Sequence, residues 1–322
     1  MDGMEKQPIV GRFAPSPSGR MHLGNLFCAL VAWLSVRSEG GRMVLRIEDL
    51  DTARCPLPYA QQLERDLAWF GLDWDEGGEG GGSHAPYFQS HRTKLYEEAF
   101  SQLSRKARVY PCFCTRAELH AASAPHPSDG LSPYGGRCRK LTPEQVAALS
   151  EKRRPAWRIQ VPNTWVELID GHCGPYKARL DQDCGDFILR RSDGVYAYQL
   201  AVCVDDGAMG VTQVVRGRDL LPYTPQQIWL LQQLGYPVPQ YFHIPLLTAP
   251  DGRRLSKRDG DLDVGSLQKR YGCPQPILGL LAHWCGLLDR PEPVSAQELI
   301  PLFSWEKLPQ RDIPLPAEFV RT

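Results

Sequence analysis

Three short stretches of this 322-residue chain carry residue types whose spacing could do chemistry. The first is FAPSPSGRMHLGNL, from Phe13 to Leu26, which leads through prolines, serines and glycine into a run at helical spacing, with His22 where the helix should open. A helix N-terminus gathers unpaired backbone N–H groups and the positive end of the helix dipole, so it can hold phosphate. Gly19 and Gly24 would let a ligand approach the backbone closely, and His22 adds a donor for a phosphate oxygen. The second stretch, DGRRLSKRDGD from Asp251 to Asp261, crowds Arg253, Arg254, Lys257 and Arg258 around Ser256 and two glycines. It reads either as a solvated basic loop or as a loop whose Lys257 meets negative charge growing on ATP phosphates. The third is Cys112-x-Cys114 followed by Tyr134-x-x-x-Cys138, which places three thiols in one irregular segment. A zinc ion can fold such a segment where an apolar core cannot, and His126 or His120 is a chemically easy fourth ligand. The alternative is free cysteines with no metal.

The elements around these stretches read as alternating strands and helices. QPIVGRFAP is a buried strand, MHLGNLFCALVAWLSVRS a helix with apolar residues on more than one face, and GRMVLRIEDLD a second strand ending in charge. That order is the unit from which parallel sheets with helical crossovers are built. Two helices follow, in PYAQQLERDLAWFGLDW and in HRTKLYEEAFSQLSRKARVY, the latter expected to start near Ser90. The glycine-rich EGGEGGGSHAP between them follows no evident strand and is read as a mobile loop, not a phosphate cradle. From Tyr110 to about Pro155 the chain turns to Cys, Pro, Ser and Gly and resembles an insertion. Strand-like pieces return in AWRIQVP, WVELIDG and DFILRRSDGVYAYQLAVCVDD, the last with a hairpin turn at Ser192-Asp193-Gly194. GVTQVVRGRDLL gives a further strand and TPQQIWLLQQLG a helix with Thr224 as N-cap and Pro225 at the first helical position. Beyond Asp261 the chain reads as helical.

Bulk composition sets limits on all of this. A formal charge of zero, with 42% hydrophobic and 23% charged residues, is ordinary globular usage and argues against disorder. Any nucleic-acid surface must then be a local patch, such as Arg253 to Arg258 or Lys152 to Arg158. No signal-like apolar segment opens the chain and no stretch approaches the roughly 18 apolar residues of a membrane span. A cytoplasmic, membrane-free protein is therefore expected, a monomer is expected as well, and the remaining cysteines are read as small buried hydrophobes.

Taken together the motifs resemble a known family. PSPSGRMHLGN resembles the His-Ile-Gly-His signature, and RLSKR the Lys-Met-Ser-Lys-Ser signature, of class I aminoacyl-tRNA synthetases. RFAPSPSGRMHLGNL, LRIEDLDTAR, YFQSHR, YPCFCT and DDGAMGVTQVVRGRDLL are similar, in order, to the glutamyl-tRNA synthetase lineage over nearly all of its catalytic region. Asn25 stands where the first signature has its second histidine, and Arg254, Leu255 and Arg258 stand where the second has Lys, Met and Ser. Only about sixty residues follow the Ser256-Lys257 loop, enough for a small helical stem-contact region but not for anticodon-binding domains. A short chain of this design resembles the glutamyl-Q tRNA(Asp) synthetase family, whose members activate glutamate without tRNA and attach it to the queuosine base of the tRNA(Asp) anticodon. The expectation is an α/β, Rossmann-type catalytic domain in two halves, 1–109 and 186–260. An inserted zinc-binding, acceptor-like subdomain over 110–185 and a helical stem-contact region over 261–322 complete it, with no anticodon-binding domain.

The resemblance also implies roles. Glutamate carries two carboxylates and an ammonium, so its pocket needs two guanidinium-type partners and one carboxylate. Arg12 and Arg216 supply the cations, Glu48 the anion and Tyr198 a hydroxyl, while Phe13, Ala14, Pro15 and Ser16 line the site. His22, Gly24, Asn25, Ser256 and Lys257 are expected at ATP, with Mg²⁺ on its phosphates, and His22 and Lys257 as the catalytic groups. Cys112, Cys114, Tyr134 and Cys138 match the family's structural zinc site, with the tyrosine as fourth ligand. The partners implied are L-glutamate, ATP and queuosine-containing tRNA(Asp). Two other readings stand beside this one: a truncated glutamyl-tRNA synthetase charging tRNA(Glu), and a non-catalytic RNA-binding relative.

Overall fold

The computed structural model describes residues 8–115, 134–253, 255 and 262–320. Ser256 and Lys257, their neighbours Arg254 and Arg258, and the alternative ligands His120 and His126 lie outside the described residues.

The chain opens with strand β1 (Val10–Phe13), helix α1 (Leu23–Arg37) and strand β2 (Arg42–Leu45), and β1 and β2 pair in parallel. Helix α1 buries Leu23, Leu26, Phe27, Leu30, Val31 and Leu34 around its whole circumference, so it sits inside the molecule and not on a face of it. Its packing on β1 is close enough to need Gly11, where a Cβ would lie 2.2 Å from Val36 Cγ2. Helix α2 (Leu57–Trp69), strand β3 (Glu76–Gly77), helix α3 (Thr93–Lys106) and strand β4 (Val109–Cys112) come next. After them stand helix α4 (Pro143–Ser150), strands β5 (Ala156–Ile159), β6 (Trp165–Asp170), β7 (Gly174–Arg179) and β8 (Phe187–Arg190), and helix α5 (Tyr198–Ala208). Strand β9 (Gln213–Gly217), helix α6 (Thr224–Leu234), strand β10 (Gln240–Ile244) and helices α7 (Val264–Tyr271) and α8 (Gln275–Trp284) complete the elements that matter for the site.

Five strands form one parallel sheet in the order β10-β9-β1-β2-β3, while β4-β5-β8 and β6-β7 form smaller antiparallel sheets. The strand order of the large sheet reverses between β1 and β9. In open α/β sheets the crevice outside the carboxyl ends of the strands at such a reversal is where ligands bind. Those ends carry Arg12-Phe13 and Arg216-Gly217. No helix among the described residues is long and apolar enough to cross a membrane.

Four local expectations are corrected. The glycine-rich stretch is not simply a loop: Glu76 and Gly77 are buried and pair with Val44 and Leu45 as the sheet's edge strand. Gly77 lies so close to Leu45 that a Cβ would meet its carbonyl oxygen at 2.0 Å, which the apolar patterning of a strand cannot reveal. The run YQLAVCVDD is helical, not the return strand of a hairpin, and only the single bridge Arg190↔Tyr196 follows the turn. Its apolar residues are buried on every side, and a buried helix shows no period to tell it from a buried strand. Helix α3 begins at Thr93, after a 3₁₀ turn at Gln89–His91, and not near Ser90. Thr224 is the first helical residue of α6 and not its cap, because its hydroxyl is committed elsewhere.

Candidate active site

The reversal of strand order brings Arg12, Glu48, Tyr198 and Arg216 into one buried electrostatic neighbourhood. Arg12 is 5% exposed on β1; one of its terminal nitrogens donates to the Val215 carbonyl at 3.3 Å, and its Nε lies 3.4 Å from an Asp206 oxygen without a hydrogen bond. Asp206, on α5, accepts from Arg46 at 2.7 Å, and Arg46 also reaches Glu48 at 3.3 Å. Asp205 beside it is buried among Gln89 (2.8 Å), Arg92 (2.6 Å) and the Tyr96 hydroxyl (2.9 Å). The pair of aspartates thus anchors three segments: the stretch just after β2 through Arg46, the 3₁₀ turn through Gln89, and α3 through Tyr96. Burial pushes the Glu48 carboxyl up to about 7, against the pull of Arg46 and Arg12. The Tyr198 phenol is raised to about 12 by burial first and Glu48 next, with Arg216 and Arg12 opposing.

The backbone from Phe13 to Pro15 extends the parallel pairing beyond β1. The Arg46 N–H donates to the Phe13 carbonyl at 3.0 Å and the Glu48 N–H to the Pro15 carbonyl at 2.9 Å, so the loop and Glu48 are held together. Phe13, Ala14 and Pro15 are half-buried and Ser16 is exposed.

His22 caps helix α1. Its Nδ1 accepts the Gly24 N–H at 3.1 Å, while Asn25 Oδ1 accepts the His22 N–H at 3.3 Å, a reciprocal cap. A ring that accepts at Nδ1 carries its proton on Nε2, the form that can donate to a phosphate oxygen. A Cβ at Gly24 would stand 3.1 Å from the imidazole, so glycine gives the capping ring its room. Asp263, just beyond the basic loop, forms a bridge with His22, and the Val264 N–H donates to the Met21 carbonyl at 2.8 Å. The chain therefore returns from the basic loop against the opening of α1. One turn into α1, the Cys28 thiol is pushed up to about 11 by burial, while Arg12 and Arg216 pull it down.

Arg216, 4% exposed on β9, donates from Nε to His243 Nε2 at 2.9 Å and from a terminal nitrogen to Thr224 Oγ1 at 2.8 Å. Asp206, Asp205, His243 and Thr224 were not singled out by sequence reasoning as site residues. The signal for the first two was a pair of carboxylates in an otherwise apolar run, LAVCVDDGAM, and for His243 a histidine inside the buried strand YFHI. Only the three-dimensional contact says what they hold.

The sulfur cluster lies beside the smaller sheet. Cys112 ends β4, Cys114 follows it, and Cys138 sits in a 3₁₀ turn, with all three buried and their sulfurs within 4.8 Å of one another. The Tyr134 hydroxyl oxygen is 3.6 Å from Cys112 Sγ and 3.5 Å from Cys114 Sγ, and Cys114 and Cys138 sulfurs are 3.7 Å apart. Arg158 on β5 stacks over the Tyr134 ring at 3.9 Å from its centroid. This buried group of thiols could hold a metal ion.

With that geometry set out, comparison with known proteins is decisive. Residues 8–305 match the family model of tRNA synthetases class I (E and Q), catalytic domain. The chain belongs to this synthetase family. It is 48% identical to the glutamyl-Q tRNA(Asp) synthetase of Symbiobacterium thermophilum over 315 residues, 97% of each chain. It is 46% identical to glutamate–tRNA ligase 2 of Alkalilimnicola ehrlichii, over 87% of this chain but 60% of that protein. Among solved structures, a glutamate tRNA ligase from Elizabethkingia meningosepticum, crystallised in complex with its amino acid, superposes with a TM-score of 0.79 at 28% identity, over 98% of this chain and 68% of the other. The parallel sheet and its crevice are thus those of a class I synthetase catalytic domain.

Proposed function

We propose that this synthetase activates L-glutamate with ATP, without needing tRNA, and transfers it to the queuosine base in the anticodon of tRNA(Asp). The observation that carries the reading is the 48% identity to a glutamyl-Q tRNA(Asp) synthetase over 97% of both chains, joined to a pocket of matching charge. Glutamate brings two carboxylates and an ammonium; Arg12 and Arg216 face the carboxylates, Glu48 takes the ammonium, and the Tyr198 hydroxyl and the Phe13–Ser16 backbone line the pocket. Arg12 suits this role because its buried Nε lacks a hydrogen bond, leaving a donor unspent.

A glutamate carboxylate oxygen attacks the α-phosphorus of ATP, the bond to the β-phosphate oxygen breaks, and glutamyl-adenylate and pyrophosphate form. This step asks for alignment and charge stabilisation, not for a side-chain nucleophile. His22 serves the phosphates at the helix opening, flanked by Gly24 and Asn25, whose own backbone N–H groups are bonded to the His22 ring and carbonyl. Ser256 and Lys257, outside the described residues, complete that role on the strength of the motif, with Mg²⁺ accompanying ATP as substrate. A nucleic-acid hydroxyl then attacks the carbonyl carbon of the adenylate, forming an ester as the bond from that carbon to the phosphate oxygen breaks and AMP leaves.

For the sulfur cluster, Cys112, Cys114, Cys138 and Tyr134 are the residues that would hold zinc. Tetrahedral zinc with Zn–S near 2.3 Å and Zn–O of about 2.0–2.2 Å places sulfurs about 3.8 Å apart and a sulfur about 3.5–3.7 Å from an oxygen. The separations of 3.7 Å between Cys114 and Cys138, and of 3.6 and 3.5 Å from Tyr134, fit that donor set. Bound there, zinc would supply structure and no chemistry, shaping the segment that faces RNA.

The test supplies purified protein with ATP, Mg²⁺ and labelled glutamate, and compares tRNA(Asp) with and without queuosine against tRNA(Glu). Label is expected only on queuosine-containing tRNA(Asp), with glutamate-dependent ATP–pyrophosphate exchange in the absence of any tRNA. Label on tRNA(Glu) alone would overturn the proposal in favour of a charging enzyme, and no exchange at all would favour a non-catalytic relative.

A further inference from the structure

Arg216 is not held by a carboxylate, unlike Arg46 and Arg92, which are both paired with acidic residues. Its Nε–H points at a histidine. His243, fully buried on the adjacent strand β10, lies opposite Arg216 in the parallel register and accepts at Nε2 from that Nε at 2.9 Å. Its other nitrogen, Nδ1, is 2.6 Å from Asp170 Oδ2. Only one proton arrangement satisfies both contacts: Nδ1 protonated and donating to Asp170, Nε2 bare and accepting from Arg216. A cationic imidazole would face the guanidinium with a second N–H, and burial together with Arg216 and Arg12 pushes His243 down to about 4, against Asp170.

Asp170 is itself over-determined. Its Oδ1 accepts the N–H groups of His172 (3.0 Å), Cys173 (2.8 Å) and His243 (3.1 Å), and it is 2% exposed. Burial acts to raise its carboxyl, but the hydrogen bonds from His243 and the backbone outweigh this and hold it below the usual range. The residue sits at the end of β6, on a turn that crosses to the large sheet: the Gly171 N–H donates to the Tyr241 carbonyl at 2.8 Å, and a Cβ on Gly171 would fall 2.0 Å from the Phe242 ring. The tip of the β6–β7 hairpin is therefore docked on β10 by its backbone.

We infer that Asp170 and His243 are positioning residues that fix the side chain of Arg216, so that the β6–β7 hairpin sets the geometry of the glutamate pocket from behind. Asp170 selects the imidazole tautomer, the tautomer presents a lone pair to Arg216 Nε, and Thr224 Oγ1 holds one terminal nitrogen. The guanidinium is fixed on two sides by neutral acceptors. Its charge is left uncompensated for an anionic substrate group, which a direct carboxylate partner would have neutralised. The inference rests on the reading of Arg216 as a partner of glutamate.

Four variants test it, with glutamate and ATP KM measured separately in ATP–pyrophosphate exchange. Arg216→Ala tests the underlying reading: glutamate KM must rise by a hundredfold or more, and an unchanged value would sink that reading irrespective of the relay. His243→Leu, which offers no acceptor, is expected to raise glutamate KM at least tenfold with ATP KM within twofold. His243→Gln, whose amide oxygen can accept from Arg216, should return glutamate KM to within about threefold of wild type. A normal glutamate KM in His243→Leu, with Arg216→Ala impaired, overturns the relay while sparing the pocket. Asp170→Asn supplies a readout that simple packing would not move. The amide N–H₂ facing Nδ1 forces the ring proton to Nε2, against Arg216, as asparagine in place of the triad aspartate does in serine proteases. In ¹⁵N-labelled protein the His243 imidazole should be the Nδ1–H tautomer in wild type from pH 5 to 8, and the Nε2–H tautomer in Asp170→Asn, together with a tenfold or greater rise in glutamate KM. If His243→Leu fails to fold, Asp170→Asn decides alone: an unchanged tautomer with unchanged KM overturns the inference.

Discussion

Behind the ends of β1 and β2, Arg12, Arg46 and Arg92 meet Glu48, Asp205 and Asp206 in direct side-chain contacts between buried groups. Beside β4, Cys112, Cys114, Cys138 and Tyr134 converge through weak contacts of 3.5–3.7 Å between sulfur and sulfur or phenol oxygen, with the Arg158 guanidinium over the Tyr134 ring. The first cluster carries its own counter-charges and is shaped by the fold. The second brings sulfur and phenol donors together with one cation beside them and no direct ion pair among the described residues. A buried set of opposite charges is preorganised for an ionic substrate, whereas a buried set of sulfur donors is organised for an ion that becomes part of the structure.

The largest effect expected from breaking the first cluster is on catalysis. Arg12→Ala removes a buried guanidinium whose counterpart would be a substrate carboxylate, and loss of such a contact costs about 4 kcal/mol, or about a thousandfold in kcat/KM for glutamate. ATP–pyrophosphate exchange at varied glutamate measures it. A loss below tenfold would place the substrate elsewhere.

Next is the support under that residue. Asp206→Asn leaves Arg12 and Arg46 without their shared carboxylate, and breaking a buried pair from one side costs roughly 3 kcal/mol or more of stability. Denaturant unfolding should show it. The half-exposed pair Arg37–Asp73, at 2.9 Å, is the control: Asp73→Asn should cost under about 1 kcal/mol despite similar geometry.

How much of this was legible in the sequence depended on distance along the chain. The order β1, α1, β2 was readable because each is a mostly apolar stretch of the right length with turn residues between. So were the capping position of His22 and the clustering of Cys112, Cys114 and Cys138, whose partners are near in sequence. Asp206 reaches Arg46 across 160 positions and Asp170 reaches His243 across 73, and no local pattern marks such pairs. Glu76-Gly77 failed as a strand reading for a related reason. Two residues pair at the edge of a sheet built by others, and glycine there serves close approach, not propensity.

A gentler perturbation of the charged cluster is pH. Glu48, raised to about 7 by burial with Arg46 and Arg12 opposing, is protonated in the free protein below neutrality. Between its ordinary value and about 7 the folded state holds a proton that the unfolded chain has lost, so Glu48 lowers stability as pH rises through that window. Binding of an ammonium requires the carboxylate, so kcat/KM for glutamate should rise about tenfold from pH 6 to pH 8, levelling above. The same profile for Glu48→Gln should be flat as well as low; a wild-type profile without the rise would remove Glu48 from the ammonium.

The smallest effect on activation should come from the sulfur cluster, and it is the one that separates the two regions most sharply. Cys112→Ser replaces a thiolate by a hydroxyl that binds zinc poorly, so metal content should fall from about one per chain to near zero. The segment around Cys138 should become more susceptible to proteolysis. Yet Cys112 lies in the three-stranded sheet, and the charged cluster is tied together through Asp206, Arg46, Asp205 and Arg92 with no thiol among them. Glutamate-dependent ATP–pyrophosphate exchange should therefore stay within about threefold of wild type, while transfer to tRNA falls further. Equal loss in exchange and transfer would mean that the two clusters are one unit, and that the metal site props the glutamate pocket as well as shaping the segment beside it.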